Sequence, residues 1–474
     1  MAGLRSEFQL RKVAESEQSD RISLLPTEIL VHILSFLKLK EMARTSLVSK
    51  HWVELWMFAA VGLDFDGSKV LVGLATRKNE KSFLKKKRCQ FVEWVNKVLQ
   101  LHKAMVIDEF RICFELDKSS QRDIDEWLRF AFARGVQRLQ LDLLKYGCPS
   151  HEISKPYIFP SCQILNQDSD NISSISEESP TTDVHDKGTR TLAFTDFKSL
   201  TSLVLEGVNV TGETLSFFLN KFHFLERLIV SGSSSRDLSS VVVCGSSPPL
   251  KYLELTYCRY LKSITVRDSC LVSLKFTRVG DLVLENVPML VDVWVCGVSV
   301  SRVIPLLSCS LLSRLEVLDL YVMGEETFVQ VPQLSALKEL VLHVCAHEDD
   351  SIIHLIHSFM RSSSKSEKFV LELPAVFGAK GKLRKFSSPP HLQHLKVVEF
   401  RGYYGRKTED ELVMYFLENG TASALERIIL DPRCQEIFCR ERVKEPEEEN
   451  FARVGAEKLL KGLMIPSSVE LVIL

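Results

Sequence analysis

The chain has 474 residues, 45% of them hydrophobic, and its 60 Lys and Arg against 61 Asp and Glu leave a formal charge of −1. That length suits about three ordinary domains or one long repeat array. The near-neutral balance argues against gripping nucleic acid or an anionic membrane by bulk electrostatics, and no run of 18 apolar residues occurs that would span a bilayer.

Residues 1–19 are polar and charged, read as a disordered tail, and lack the apolar stretch of a secretory leader. The expected location is therefore the nucleus and/or the cytoplasm, and the Asn-x-Ser/Thr triplets at Asn171, Asn209 and Asn419 are not expected to carry sugar. The 12 Cys are scattered without a Cys-x-x-Cys pair, so neither structural zinc nor a disulfide framework is expected.

The first patterned segment is Asp20 to Trp56. Pro26 suits a first helical turn, where its missing N–H costs nothing. Ile29, Ile33 and Leu37 follow at four-residue spacing with Leu30 and Leu34 beside them, making one apolar stripe. After a charged break at 38–41 a second pattern runs through Leu47, Val48, Trp52, Leu55 and Trp56. So short a segment cannot bury all of these on itself, so the surplus must meet the following domain and a partner.

Leu25-Pro26, the Ile29–Leu37 stripe and the ending Ser49-Lys50-His51-Trp52-Val53-Glu54-Leu55-Trp56 resemble the F-box. The resemblance implies an all-helical module over residues 20–60 that docks on a Skp-type adaptor, itself joined to a cullin–RING scaffold. It assigns the adaptor-facing role to Leu25, Pro26, Ile29, Leu30, Ile33, Leu37, Leu47, Val48 and Trp52. Lys38 stands where the family often has proline, at an exposed break that leaves the stripe intact. The alternative is a helical cap on a repeat array, without a partner.

Residues 61–108 read as a helical linker. It holds seven basic residues between Arg77 and Arg88, which suit either a nuclear localisation signal or a solvated run.

From residue 109 to 390 the pattern is repetitive. Leu-x-x-Leu-x-Leu copies start at Leu200, Leu225, Leu250, Leu271, Leu290, Leu315 and Leu337, at separations of 25, 25, 21, 19, 25 and 22 residues. This is the period of leucine-rich repeats, one short strand per turn of a solenoid. The expected fold is α/β: a leucine-rich-repeat solenoid (horseshoe) preceded by the small helical module. Phe110/Ile112/Phe114 and Val136/Leu139/Leu141 start the stack, and Cys258 and Cys345 fall where such repeats bond the backbone of the bend. Residues 161–190, with six Ser and six Asp or Glu, read as a disordered insertion.

Strand residues alternate between core and surface, so the neighbours of the leucines line the concave face. Among them are Ser202, Val204, Glu206, Arg227, Ile229, Glu254, Lys275, Asp292 and Asp319. Tyr252, Trp294, Tyr321 and His343 are the candidate target-binding residues, since aromatics anchor protein interfaces. A phosphate pocket would need converging cations, and here they are isolated.

Residues 391–474 close the chain. Leu395, Val398, Phe400, Gly402 and Gly405, a helix with Leu412, Tyr415, Phe416 and Leu417, and the strand Leu425/Ile428/Leu430 resemble the FBD segment of plant F-box proteins. Thr408 with Glu411 reads as a capping box, Asn419-Gly420 as a stop, residues 445–449 as an exposed linker, and Val469–Leu474 as a last strand. The early blocks Phe91–Val95, Asp125–Leu128 and Gly135–Leu139 also resemble that plant family. The segment equally reads as final repeats plus a cap.

No phosphate-binding loop, nucleophile elbow, zinc helix or dinucleotide turn is present. His347, His354 and His357 read as the edge of a repeat helix. No cofactor, metal, membrane or nucleic-acid partner is expected. The resemblance implies a non-catalytic substrate receptor of an SCF-type (Skp-adaptor/cullin/F-box) ubiquitin ligase, holding an unknown protein target. The alternatives are an adaptor-bound regulator or scaffold without a degradation role, and a small-molecule (hormone) receptor.

Overall fold

A computed structural model describes residues 22–45 (without 23 and 38), 52–58, 62–70, 80–144, 153–164 (without 154), 191–194, 199–245, 249–323 (without 299 and 308), 330–345, 351–372, 393–420, 424–433, 446–462 and 468–474.

In chain order the first elements are α1 Thr27–Leu34, α2 Leu39–Thr45, α3 Trp52–Leu55, β1 Leu63–Asp66, α4 Glu80–Leu101, β2 Glu109–Cys113, α5 Gln121–Ala133 and β3 Arg138–Asp142. Short strands β4 Tyr157–Ile158, β5 Ser161–Ile164 and β6 Thr191–Phe194 precede β7 Ser202–Glu206, β8 Val208–Asn209, α6 Gly212–Lys221 and β9 Arg227–Ser231. Then come β10 Ser240–Cys244, β11 Tyr252–Thr256, β12 Ser263–Arg267, β13 Ser273–Thr277, β14 Asp281–Glu285, β15 Asp292–Cys296, α7 Val300–Leu306 and α8 Cys309–Leu312. The last are β16 Val317–Met323, β17 Glu339–Cys345, α9 Ser351–Ser362, β18 Lys368–Glu372, β19 Val397–Arg401, α10 Lys407–Gly420, β20 Arg427–Asp431, α11 Pro446–Gly462 and β21 Glu470–Ile473.

One strand per repeat joins a 14-stranded sheet in the order β1-β2-β3-β7-β9-β11-β13-β15-β16-β17-β18-β19-β20-β21. Every pairing is parallel, because each strand is followed by a return segment on the same side. The repeat positions stack into the core: Leu203, Leu228, Leu253, Leu274, Val293, Leu318 and Leu340 are each 0% exposed and sit in register on successive strands. Burying one such side chain stabilises by about 1.5–3 kcal/mol.

Local composition selects the return element. Gly212–Lys221 holds the helix formers Glu213, Leu215, Leu219 and Lys221 and buries Leu215, Phe218 and Leu219 on one face, and Thr211 accepts a hydrogen bond from the Thr214 N–H at 3.1 Å, capping α6. Ser240–Cys244, Ser263–Arg267 and Asp281–Glu285 carry β-branched residues instead and form a separate parallel sheet, β10-β12-β14.

In the middle of the array the residue after the strand turns the chain through the left-handed region. Gly207, Gly232 and Gly297 serve on the main sheet, and Tyr257 and Arg278 take the same conformation at φ 54°. Cys258 lies in the bend as expected, its Sγ 3.6 Å from the carbonyls of Val230 and Thr256, and burial pushes its thiol up to about 12. Cys345 is the last residue of β17.

Several boundaries differ from the sequence expectations. Residues 63–66 are not helical linker: Leu63 and Phe65 alternate inward and start the sheet against β2, ahead of residue 109. Within the basic run, Arg88 is drawn into ion pairs with Glu115, at 2.8 Å, and Asp117, while Lys85 and Lys86 are exposed. Residues 161–164 belong to a strand pair, β5 with β6, and the remainder of the expected insertion lies outside the described residues. Residues 446–449 open α11, since Ala452 and Ala456 fit a buried helix face that the charged run conceals.

At α10 the cap is Glu409, which accepts from the N–H groups of Tyr404 at 2.8 Å and Arg406 at 3.0 Å; Thr408 already lies inside the helix. The β19–α10–β20 arrangement and the final strand match expectation, and all three strands continue the main sheet.

Candidate functional site

Two surfaces concern recognition. The first is the N-terminal helical module. Pro26 occupies the N-cap of α1 rather than its first turn, with φ −53° and ψ 144°. Leu30 and Leu34 are 0% exposed and join Leu39, Met42, Trp52, Leu55, Trp56, Leu63 and Phe65 in one continuous core. The module is thus seated on the first strand of the solenoid, and Met57 O accepts from the N–H of Lys103 at 2.7 Å.

The expected adaptor-facing set therefore divides. Leu25, Pro26, Ile29 and Ile33 are exposed, and Leu37 is half-buried. Leu30 and Trp52 face inward, where α1 packs on α3 inside the module, so neither is available to a partner before binding. Leu47 and Val48 lie outside the described residues. Phe36, 77% exposed, and Leu24, 75% exposed, belong to the outward group although the sequence reading missed them. The signal for Phe36 was present: it stands three residues after Ile33 and seven after Ile29, a spacing that puts it on the same side in the turn after α1, where its N–H donates to Ile33 O at 3.2 Å.

The second surface is the concave face. Across the sheet its middle row reads Asp64, Arg111, Gln140, Val204, Ile229, Glu254, Lys275, Trp294, Asp319, Val341, Val370, Glu399, Ile429 and Val472. Three of the four candidate target-binding residues do not present themselves to solvent. Trp294 packs edge-on against Tyr321 at 5.7 Å, and Tyr321 stacks on His343 with centroids 4.0 Å apart and an angle of 4°. All three are buried, His343 to 2% exposure. Adjacent strands are close enough for large rings to cover one another, which single-strand alternation does not reveal. Tyr252 is half-buried, its hydroxyl donating to Glu254 at 2.7 Å and its ring under Arg227 at 3.9 Å.

His343 lies between two carboxylates, with Nε2 2.8 Å from Asp319 and Nδ1 2.7 Å from Glu372, as ion pairs bent away from straight hydrogen bonds. Burial alone would lower its pKa, but the two carboxylates reverse this and raise it to about 9 from 6.5. The stability this ring contributes is then complete below pH 6.5 and is lost as pH rises through about 9. Thermal melts should show a fall in midpoint across that window worth a few kcal/mol, absent in His343→Gln; an identical slope in both proteins would contradict the assignment.

A cavity of about 500 Å³ opens on the concave face further toward the N-terminus, among β2, β3, β7, β9 and β11. Val204 and Ile229 form an apolar part of its lining, and Glu109, Arg138, Glu206, Arg227 and Glu254 its charges. Among the described residues no His, Cys, Asp and Glu group has metal-binding geometry, and no helix is long and apolar enough to cross a membrane.

Comparison with known proteins fits this architecture. Residues 98–461 match the family model described as At1g61320/AtMIF1, LRR domain, and residues 22–56 match the F-box-like model. The F-box/LRR-repeat protein At3g59200 of Arabidopsis thaliana is 38% identical over 132 residues, covering 28% of this chain and 24% of its own length. The putative F-box/LRR-repeat protein At4g15060 from the same plant is 28% identical over 259 residues, covering 52% and 56%. The FBD-associated F-box protein At4g10400, also from that plant, is 38% identical over 128 residues, covering 27% and 28%. The chain thus spans between about a quarter and about half of the length of these curated relatives. No solved structure matches. With repeats that stack as one parallel sheet behind an F-box-like helical segment, the chain belongs to the At1g61320/AtMIF1 leucine-rich-repeat domain family.

Proposed function

We propose that the protein is a non-catalytic substrate receptor: its F-box-like module docks on a Skp-type adaptor, and through it a cullin–RING scaffold, while the concave face of the repeats holds a protein target for ubiquitination. The observation that carries this reading is the sorting of α1. Ile29, at 47% exposure, and Ile33, at 37%, stand outward, with Phe36 exposed in the turn that follows, while Leu30 and Leu34 are spent on the module's inner core against α3 and the Trp56–Phe58 turn. A helix that already has its core partner has no internal use for a second apolar face. The mechanism is proximity: a held target sees a high effective concentration of the charged conjugating enzyme.

In this reading residues 20–60 are the docking module and the repeats the receptor. Residues 391–474 are an FBD-type segment that also closes the solenoid. The names of FBD-associated relatives support that last assignment, as does the unbroken register from β18 to β21.

The test is titration of the purified chain with a plant Skp-type adaptor, alongside a control carrying Leu25→Ala and Pro26→Ala. Tight binding that the control loses supports the reading. A folded chain that does not bind sinks it.

A further inference from the structure

The concave face does not distribute its charge evenly. Toward the C-terminus the ions neutralise one another: Lys368 meets Glu339 at 3.0 Å and Glu399 at 3.5 Å, Arg401 meets Glu399 at 2.7 Å, and His343 is shared by Asp319 and Glu372. Around the cavity, with Lys275 counted, carboxylates and cations are equal in number but less directly paired. Glu109, Glu206 and Glu254 line it against Arg138 and Arg227. Arg138 is engaged by Glu109 at 3.2 Å. Arg227 and Lys275, on the strands flanking β11, both lean on the Tyr252 ring, at 3.9 Å and 5.7 Å.

Glu254 is the carboxylate at the centre of this region. Its oxygens are held by neutral groups, the Tyr252 hydroxyl at 2.7 Å and Thr256 Oγ1 at 3.2 Å. These fix the direction of the carboxylate without forming an ion pair with it, while Lys275, its register partner on β13, is turned to the Tyr252 ring. Beside it, Val204 and Ile229 supply apolar lining, Ile229 at 7% exposure. A fixed anion beside an apolar wall matches a side chain with a hydrocarbon stem and a cationic head. A cavity of about 500 Å³ admits one or two such side chains with the backbone that carries them.

Resting on the reading of the repeats as a target-holding surface, we infer that this cavity seats a lysine or arginine from an extended basic segment of the target protein, with Glu254 as its counter-charge and Val204 and Ile229 packing its stem. The class of substrate is thus a protein with an exposed basic stretch, and an acidic segment is rejected by Glu254 and Glu206.

The experiment uses the full chain and fluorescein-labelled peptides of alternating lysine and glycine or glutamate and glycine, followed by fluorescence anisotropy. The basic peptide should bind roughly ten-fold or more tightly than the acidic one, weakening with salt. Glu254→Gln keeps the shape of the side chain and should weaken the basic peptide by about ten-fold. Glu93→Gln, an exposed glutamate on α4, should leave it unchanged.

Equal binding of both peptides, tighter acidic binding, or equal losses in the two variants would overturn the inference, the last by showing diffuse attraction. Ile33→Asp, made to break adaptor docking, should not alter peptide binding. A chain that ignores the adaptor yet selects the basic peptide would therefore sink the ligase reading and leave this site standing.

Discussion

Ile33→Asp should reduce binding to a Skp-type adaptor by roughly a hundred-fold while leaving the melting temperature of the chain unchanged. The two effects separate because Ile33 is 37% exposed and shares the outer face of α1 with Ile29, next to the exposed Phe36 in the turn that follows. A carboxylate there is solvated in the free protein and becomes a buried, unpaired charge only in the complex. Leu30→Ala is the counterpart. Leu30 is fully buried in the inner core of the module, so its truncation should cost about 2–5 kcal/mol of stability. Calorimetric titration with the adaptor, beside thermal melts of both variants, decides the matter. If Ile33→Asp binds normally, the outer face of α1 is not the docking surface.

The second large effect concerns the bends that close each repeat. Gly207 follows β7 at φ +68°, and a Cβ there would stand 2.9 Å from both the Leu143 carbonyl carbon and the Leu144 nitrogen. Those atoms cannot step aside, because Leu143 N–H donates to Glu206 O at 2.8 Å and Gly207 N–H to Ser231 O at 2.8 Å. Gly207→Ala should therefore cost about 2–5 kcal/mol, combining left-handed strain with a backbone collision. Gly245 separates the two contributions, since it lies at φ +87° with nothing within 4 Å of the added carbon. Gly245→Ala should cost only about 1 kcal/mol. Urea unfolding of both proteins measures the difference, and equal losses would show that conformation alone accounts for Gly207.

Much of this fold was legible residue by residue. A leucine recurring every 19–25 residues with internal spacing of three and then two can satisfy all its copies only on stacked parallel strands. The expected strands around Leu203, Leu253, Leu318 and Ile428 all appear in the sheet. Linear pattern failed where an element's role depends on a distant neighbour. Leu63-Asp64-Phe65-Asp66 is too short to declare itself, and becomes a strand because β2 offers it an edge. The charged opening of α11 reads as linker until Ala452 and Ala456 are seen to be buried.

The recognition surfaces divide the same way. Helical spacing and strand alternation were enough to establish a repeat solenoid behind an amphipathic helical module, since both depend on near neighbours along the chain. They could not tell which side of α1 would be buried inside the module, nor that Trp294, Tyr321 and His343 would cover one another across strands β15, β16 and β17. Nor could they place Glu109 and Arg138 beside Glu254 in one cavity. Those outcomes were decided in three dimensions, because exposure and charge balance depend on which residues the register sets side by side, and the register is a property of the stacked sheet.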